Sequence, residues 1–516
     1  MKHSKILALV ASLFLVGCNL DTPPENQLTQ SNAFLTERDL NTTTTAIHAI
    51  MNNVIADSGL PIFIDAGEIS SEVGHGTTVK QWNPKSILSG DIDWKGLYDL
   101  IFTAHILLDN IHKTVGLPKE RAAYHKGQAY FALGFAYLCL VQRYGDCILL
   151  DNSTNLSAYP LTPQLMVLNK AIEYAREAYG LLPIHAQLKD YAGIALTAKQ
   201  FASKGSAAAL LAHLYAWKGS VIDNYKISSE PSSEAYRLSA EYASKIIDGE
   251  AGAYQLCSSP EELCQKLSNP MQDNSEVIFS VIFDRSRSGG ASESPLPTRG
   301  YVSYPVDKTK SLGDLTESTD YRVYKGKVDE VYPEATDARR SAYFFEIDQP
   351  HLVNGEDYAL LYKWRSALYE GNSTDEFGES LRSIDADFVV WRLADIYLLR
   401  AECYAKLGQD AEAVRDLNVI RTRAEATAYP NNGENDLKLA IFREREKELF
   451  AEGCRYWDVL RAGLWNTELQ GKFRALSEAD VLGGALHLPK PESAYKHNGI
   501  TVNTQIRESN YWSRYK

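Results

Sequence analysis

Two glutamates four residues apart, Glu448 and Glu452, lie in the stretch IFREREKELFAEGCRYWDVLR, residues 441–461. On a helix such a pair shares one face, and paired carboxylates are the equipment of acid–base glycoside cleavage. The neighbours argue against that chemistry. An acid catalyst needs a carboxyl whose pKa is raised, and nearby guanidiniums lower it. Arginines surround both glutamates, and Arg445–Glu448, Glu452–Arg455 and Asp458–Arg461 are spaced as i,i+3 ion pairs. The stretch therefore reads as structural. The chain has no GxSxG, HExxH, Walker A or GxGxxG pattern, and Gly326-Lys327 lacks the upstream glycine of a phosphate loop. Six cysteines follow residue 18: Cys139, Cys147, Cys257, Cys264, Cys403 and Cys454. None forms a CxxC, so zinc and thiol-redox chemistry have no support. Cys257 and Cys264 are close enough in sequence to close a short disulfide loop or to stay reduced. No catalytic residue, metal or cofactor is expected.

The cysteine with the clearest chemistry is Cys18, in FLVGCNLD. Lys2 and Lys5 precede an apolar run, Ile6 to Val16, that is too short to span a bilayer. It fits the apolar core of a signal peptide. Leu15-Val16-Gly17-Cys18 matches the bacterial lipobox, in which the thiol is acylated and the signal is cut before it. Residues 1–17 are thus expected to be a lipoprotein signal and residues 18–35 a polar tether. Asn19 is not the aspartate that favours retention in the inner membrane, so the outer membrane is the expected address. The formal net charge is −13, which disfavours nucleic acid as a partner.

The body is patterned for helices. DWKGLYDLIFTAHILLDNI (93–111), KGQAYFALGFAYLCL (126–140), 166–182, SAAALLAHLYAW (206–217) and YRLSAEYASKII (236–247) carry apolar or small residues at helical spacing. ADIYLLRAECYAKLGQDAEAVRDLNVIRTRAEAT (394–427) reads as one tetratricopeptide unit, with Gly408 closing its first helix. Between these halves, 284–309 and much of 348–385 are rich in Ser, Gly and Pro and read as long loops. They keep Tyr301, Tyr304, Tyr358, Tyr362, Trp364 and Tyr369, an aromatic content that points to ordered, binding loops. The division expected is a helical region at 36–250 and a second region at 251–516.

Residues 441–461 also keep the spacing ER-x-x-EL-x-x-EG-x-R-x-x-D-[LV]-x-R, which resembles the C-terminal signature of the SusD/RagB family of Bacteroidota outer-membrane lipoproteins. CNLDTPPENQLT, WKGLYDLIFTAHILLDNI, ALGFAYLCLVQRYGDCILL, ADIYLLRAECYAKLG, LNVIRTRAEA and LHLPKPES resemble further family segments, in order along nearly the whole chain. Two departures stand out: His105 replaces the usual asparagine, and the family's closing Asn-Pro pattern is absent from VNTQIRESNYW. The resemblance implies a mainly α fold, with about four tetratricopeptide-like units in an α/α superhelix packed against a loop-rich region with minor β. It implies a lipid-anchored, surface-exposed protein that caps a SusC-like TonB-dependent transporter barrel and captures oligosaccharide, or in some members peptide. A glycoside hydrolase on a helical scaffold and a scaffold for envelope assembly are the weaker alternatives. Fold alone does not choose the ligand.

The family tends to place its site in variable loops. The first here is VGHGTTVKQWNPKS (73–86), where Trp82 beside Asn83 is either a sugar platform or a ring folded back onto the body, and His75 is a further candidate. The second is TRGYVSYP (298–305), with Arg299, Tyr301 and Tyr304. Trp94 reads as core, and Tyr362 and Trp364 as sheet packing.

Overall fold

The computed structural model describes residues 33–516 except 57–59, 70–71, 74–76, 91, 156, 270–271, 284–299, 371–379, 385, 432 and 498–500. Its architecture is mainly helical. The long helices are α1 (Glu37–Ala56), α2 (Lys95–Asn110), α3 (Lys119–Tyr144), α4 (Gln164–Leu181), α5 (Lys204–Tyr225) and α6 (Ser233–Ile247). The chain then leaves the array and returns with α7 (Leu393–Lys406), α8 (Asp410–Arg423), α9 (Leu437–Glu448) and α10 (Arg455–Ala462). From α2 to α8 each of these helices packs on the next, and α6 meets α7 across the long intervening segment. This stacking of helix pairs is the arrangement expected of tetratricopeptide-like units.

Small residues set the helix spacing. A side chain at Gly219 on α5 would place its Cβ 2.6 Å from the ring of Tyr236 on α6, so only glycine lets these helices approach so closely. Gly408, at φ +73°, terminates the α7 turn as its position suggested. Trp94 is buried at the start of α2, and its ring lies 5.4 Å from that of Tyr144 at the end of α3. His105 is buried too, with Nε2 3.1 Å from the Leu150 carbonyl.

The central segment supplies the minor β structure. Strand β1 (Val277–Val281) pairs antiparallel with β7 (Phe388–Arg392), Val277 opposite Arg392. Between them lie β2 (Tyr321–Tyr324), β3 (Phe344–Phe345), β4 (Glu356–Leu361), β5 (Ala367–Glu370) and β6 (Ser380–Ile384). Strand β4 pairs with both β2 and β3, and β5 pairs with β6. Trp364, just past β4, is buried against the main core, and Tyr362 packs there half-buried.

The signature stretch is the hub of a buried charge network. Arg392, at the junction of β7 and α7, sits 2.7 Å from carboxylate oxygens of Glu276, Glu448 and Glu452, and all four side chains are buried. Arg423 and Arg339 also pair with Glu448, and Lys363 with Glu452. Arg445 reaches Asp395 at 2.7 Å and Asp458 at 3.0 Å. Of the three i,i+3 pairs expected from sequence, Asp458–Arg461 forms, at 2.7 Å. The other two are replaced: Arg445 and Glu448 turn to partners on other elements, and Arg455 takes Glu446 and Glu468 instead of Glu452. A buried ion gains more from several desolvated partners than from one neighbour on its own helix. Burial alone would raise the Glu448 carboxyl, but the guanidiniums of Arg423, Arg392 and Arg339 outweigh it and hold it far below the ordinary range. Glu452 is lowered against burial in the same way, chiefly by Arg392 and Lys363. Both stay ionised, as the sequence suggested. Cys257 and Cys264 are both free and buried rather than bridged, and burial pushes each thiol up to about 12.

Two outcomes follow from these environments. Replacing Arg392 with Met leaves three carboxylates facing one another in the interior, and the expected cost is roughly 3–5 kcal/mol, read as a lowered urea midpoint. Burial also depresses His48 and His185 to about 4 and His487 to about 3. The unfolded chain takes up these protons near 6.5, so their contribution is full above that pH and declines as pH falls toward 4. The melting temperature should drop across that window, and His487→Gln should flatten the drop. A profile unchanged between pH 6.5 and 4 would contradict this account.

Candidate functional site

The sequence candidates separate in space. Trp82 is fully buried, stacked on Phe473 at 4.6 Å, with its Nε1 donating to the Ala485 carbonyl at 2.8 Å. Phe63, Tyr456 and Trp512 complete its surroundings, with ring centroids 6.1–6.3 Å away. It is therefore a core residue and not a solvent-facing platform: residues from the far C-terminal part of the chain cover both its ring and its indole nitrogen. Asn83 is exposed, but its side chain accepts from Lys85 N at 3.1 Å and caps the short helix Pro84–Ser89. His75 and Arg299 lie outside the described residues, as does Cys18.

Tyr301 and Tyr304 do not converge. Tyr301 is buried in the main core, 4.9 Å from the ring of Tyr321, and its hydroxyl donates to the Glu68 carboxylate. Burial and the Glu68 charge push its phenol well above the ordinary range. Tyr304 is half-buried against a separate small cluster of Val302, Leu315, Tyr358 and Leu360. The loop between the two tyrosines thus links two cores and does not present two rings to one ligand.

An open cleft begins one residue later. Pro305, Val306, Lys308 and Thr309 form one side; Tyr362, Arg365, Ala367 and Tyr369 form the other, enclosing about 520 Å³. Strand β5 brings Tyr369 to this cleft, and its hydroxyl donates to the Val306 carbonyl at 2.6 Å, fixing the 305–309 loop. Arg365 is held by two bonds to Glu261, at 2.5 and 2.6 Å, and its guanidinium lies 4.3 Å over the Tyr362 ring. Arg365 is thus spent on structure; Lys308 and Thr309 are exposed at the rim, where the Thr309 hydroxyl donates to the Asp307 carboxylate. Half-buried tyrosines and a proline ring beside an ammonium and a hydroxyl suit a ligand with alternating apolar faces and hydroxyls, as a pyranose chain has. Tyr362 and Tyr369 stood out in the sequence as aromatics in loop-like stretches. Lys308 and Thr309 carried no signal beyond their Ser/Gly/Pro-rich surroundings.

A second cleft, of about 420 Å³, lies beside Trp94, Tyr98, Phe102, Asn152 and Tyr159. Much of its polar equipment is engaged locally: the Tyr98 hydroxyl bonds both backbone groups of Ile148, and the Asn152 carbonyl accepts three bonds from the following turn. A cavity of about 110 Å³ lies within the charge network, beside His213, Asp395 and Cys454. His213 Nε2 is 2.8 Å from the Asp395 carboxylate, while burial raises the Cys454 thiol well above its ordinary range and keeps it protonated. That combination does not make an activated nucleophile.

Comparisons with known proteins bear on both fold and site. Residues 348–509 match the SusD family model, a span that includes both the tyrosine side of the open cleft and the charge hub. SusD-like protein P25 of Formosa agariphila is 23% identical over 527 aligned positions, covering 89% of this chain and 90% of the relative. The starch-binding protein SusD of Bacteroides thetaiotaomicron is 24% identical, covering 52% of this chain and 53% of that protein, so the chain spans about half its length. Among solved structures, a SusD homolog from Bacteroides thetaiotaomicron superposes with a TM-score of 0.73 at 20% identity, over 92% of this chain and 98% of that one. At that identity the likeness is one of fold.

Replacing Trp82 with Ala removes a fully buried indole and its hydrogen bond. The expected destabilisation is about 3–5 kcal/mol, measured by chemical denaturation. Unchanged stability would return Trp82 to the surface.

Proposed function

We propose that this chain, which belongs to the SusD/RagB family, is a cell-surface capture protein for oligosaccharide. On this reading it is held to the outer membrane by lipid on Cys18 and passes its ligand to a SusC-like TonB-dependent transporter barrel. The observation that carries the binding half is the open cleft between 305–309 and 362–369. Its tyrosines and proline offer apolar surface, and the exposed Lys308 at its rim can meet hydroxyls or an acidic sugar. Support also comes from the relative whose name states that it binds starch, and from the lipobox and polar tether in the sequence. Cys18, His75, Arg299 and Asn83 remain candidates for their sequence-assigned roles. The buried carboxylates of the signature stretch are locked in ion pairs and lack the raised pKa of a glycosidase acid.

The test is calorimetry on the mature chain against maltoheptaose, mannan-, galactan- and xylan-derived oligosaccharides and a mixed peptide pool, with product analysis of each mixture. Binding without breakdown is expected for one oligosaccharide class. Tyr369→Ala should then weaken affinity by about tenfold, equal to ~1.4 kcal/mol, with little change in melting temperature. Peptide binding alone would redirect the ligand assignment, and breakdown products would overturn the capture role. Full affinity in Tyr369→Ala would remove this cleft from the site.

A further inference from the structure

A short hairpin between α4 and α5 exposes an apolar tip. Residues 191–195, Tyr-Ala-Gly-Ile-Ala, are all exposed, with Tyr191 at 54% and Ile194 at 66%. Tyr191 and Ile194 are two large apolar side chains exposed three positions apart on one turn. Its conformation is nevertheless well determined. The Asp190 carboxylate accepts from Ala192 N and Ile194 N, both at 2.8 Å. Asp190 N donates to the Ile194 carbonyl, Gly193 N to the Asp190 carbonyl and Leu196 N to the Leu188 carbonyl. Gly193, at φ +83°, makes the turn. Within the tip, the N–H groups of Ala192, Gly193 and Ile194 and the Ile194 carbonyl are thus bonded inside the hairpin, which lowers part of the cost of moving the tip out of water.

The tip stands at the corner where the N-terminal segment enters the fold. Arg121 joins the pieces: its Nε donates to Glu37 at the start of α1, at 2.5 Å, and its Nη1 to the Lys189 carbonyl of the hairpin, at 2.6 Å. On the same α1 end, Thr114 Oγ1 donates to the Phe34 carbonyl at 2.7 Å. Beside these contacts Val115 is 87% exposed and Leu35 45%. Exposed Lys119 and Lys189 flank the apolar residues, together with one exposed carboxylate, Glu120. The described chain begins at this corner, at Ala33, and Cys18 lies fifteen positions earlier.

We propose that this corner is a lipid-contacting face: the 191–195 tip, with Val115 and Leu35, enters the interfacial region of the bilayer while Lys119 and Lys189 meet headgroup phosphates. The inference rests on the lipoprotein reading for how the chain reaches the membrane, but the contact itself is independent of it. Extended, fifteen residues reach about 50 Å, so the tether alone would also allow the body to stand clear of the lipid. The exposed apolar side chains, the partly bonded turn beneath them and the flanking lysines favour contact.

The experiment couples the mature chain through Cys18 to a maleimide phospholipid in vesicles of phosphatidylethanolamine and phosphatidylglycerol. Hydroxyl-radical footprinting with mass spectrometry then compares vesicle-held and free protein. Oxidation of Tyr191 and Ile194 is expected to fall about threefold or more on vesicles, as for side chains in the interface, with Leu439 and Tyr515 unchanged. In the double variant Tyr191→Ser/Ile194→Ser, protection at Val115 should weaken. Equal oxidation of Tyr191 and Ile194 in the two states overturns the proposal. So does protection that requires a transporter barrel in the vesicle, which would make the face a protein contact. Palmitate incorporation at Cys18 in cells is read separately, so failure of the anchor and failure of the lipid face give different results.

Discussion

Arg392 sits where the last strand of the central segment becomes the first helix of the returning array. Its guanidinium is surrounded by Glu276, Glu448 and Glu452 with no water-exposed side. Those carboxylates come from the start of β1, from the end of α9 and from the turn after it, and Arg339, Arg423 and Lys363 add further cations. Buried charges tolerate no loose geometry, because each unmatched ion is costly in the interior. The network therefore sets the relative positions of the central loops and the final helices. Every surface described above is mounted on that junction or on the helical array it closes.

Aromatic packing finishes what the charges begin. Trp82, Phe63, Tyr456, Phe473 and Trp512 come from opposite ends of the chain and form one layer. The C-terminal segment lies across it, with Trp512 Nε1 bonded to the His487 carbonyl and Tyr456 to the Leu486 carbonyl. This layer takes in the tryptophan that a sequence reading offers to a ligand. The consequence is a division of labour among the aromatics. Those near the termini stabilise, and those left half-buried in the central segment, Tyr362 and Tyr369, remain at a cleft. The proposed capture role would fall to a region fixed by a few specific bonds, such as Tyr369 to Val306 and Arg365 to Glu261.

The two proposed faces differ in kind. The cleft at 305–309 and 362–369 offers ring surface with polar groups at its rim, as a hydroxyl-rich ligand requires. The corner at 191–195 and 115 offers exposed apolar side chains over a turn pinned by the Asp190 carboxylate, as the proposed lipid contact would use. One fold could carry both proposed roles because the helical array leaves its loops free to differ.

The helices were legible in the residues themselves. Apolar spacing marked α2 to α8, Gly408 marked its turn, and alanine-rich stretches marked close-packed helices, because helical periodicity is a local property. The ionised state of Glu448 and Glu452 was legible too, from the density of arginines around them. Their partners were not. Sequence spacing paired Arg445 with Glu448 and Glu452 with Arg455, whereas the folded chain pairs Arg445 with Asp395, 50 positions away, and Glu448 with Arg339, 109 positions away. Trp82 and Tyr301 were misplaced for the same reason: a loop-like neighbourhood predicts exposure only until a distant segment covers it. Local pattern determined which elements form. Long-range burial decided which charged and aromatic side chains are structure and which are left to meet a ligand.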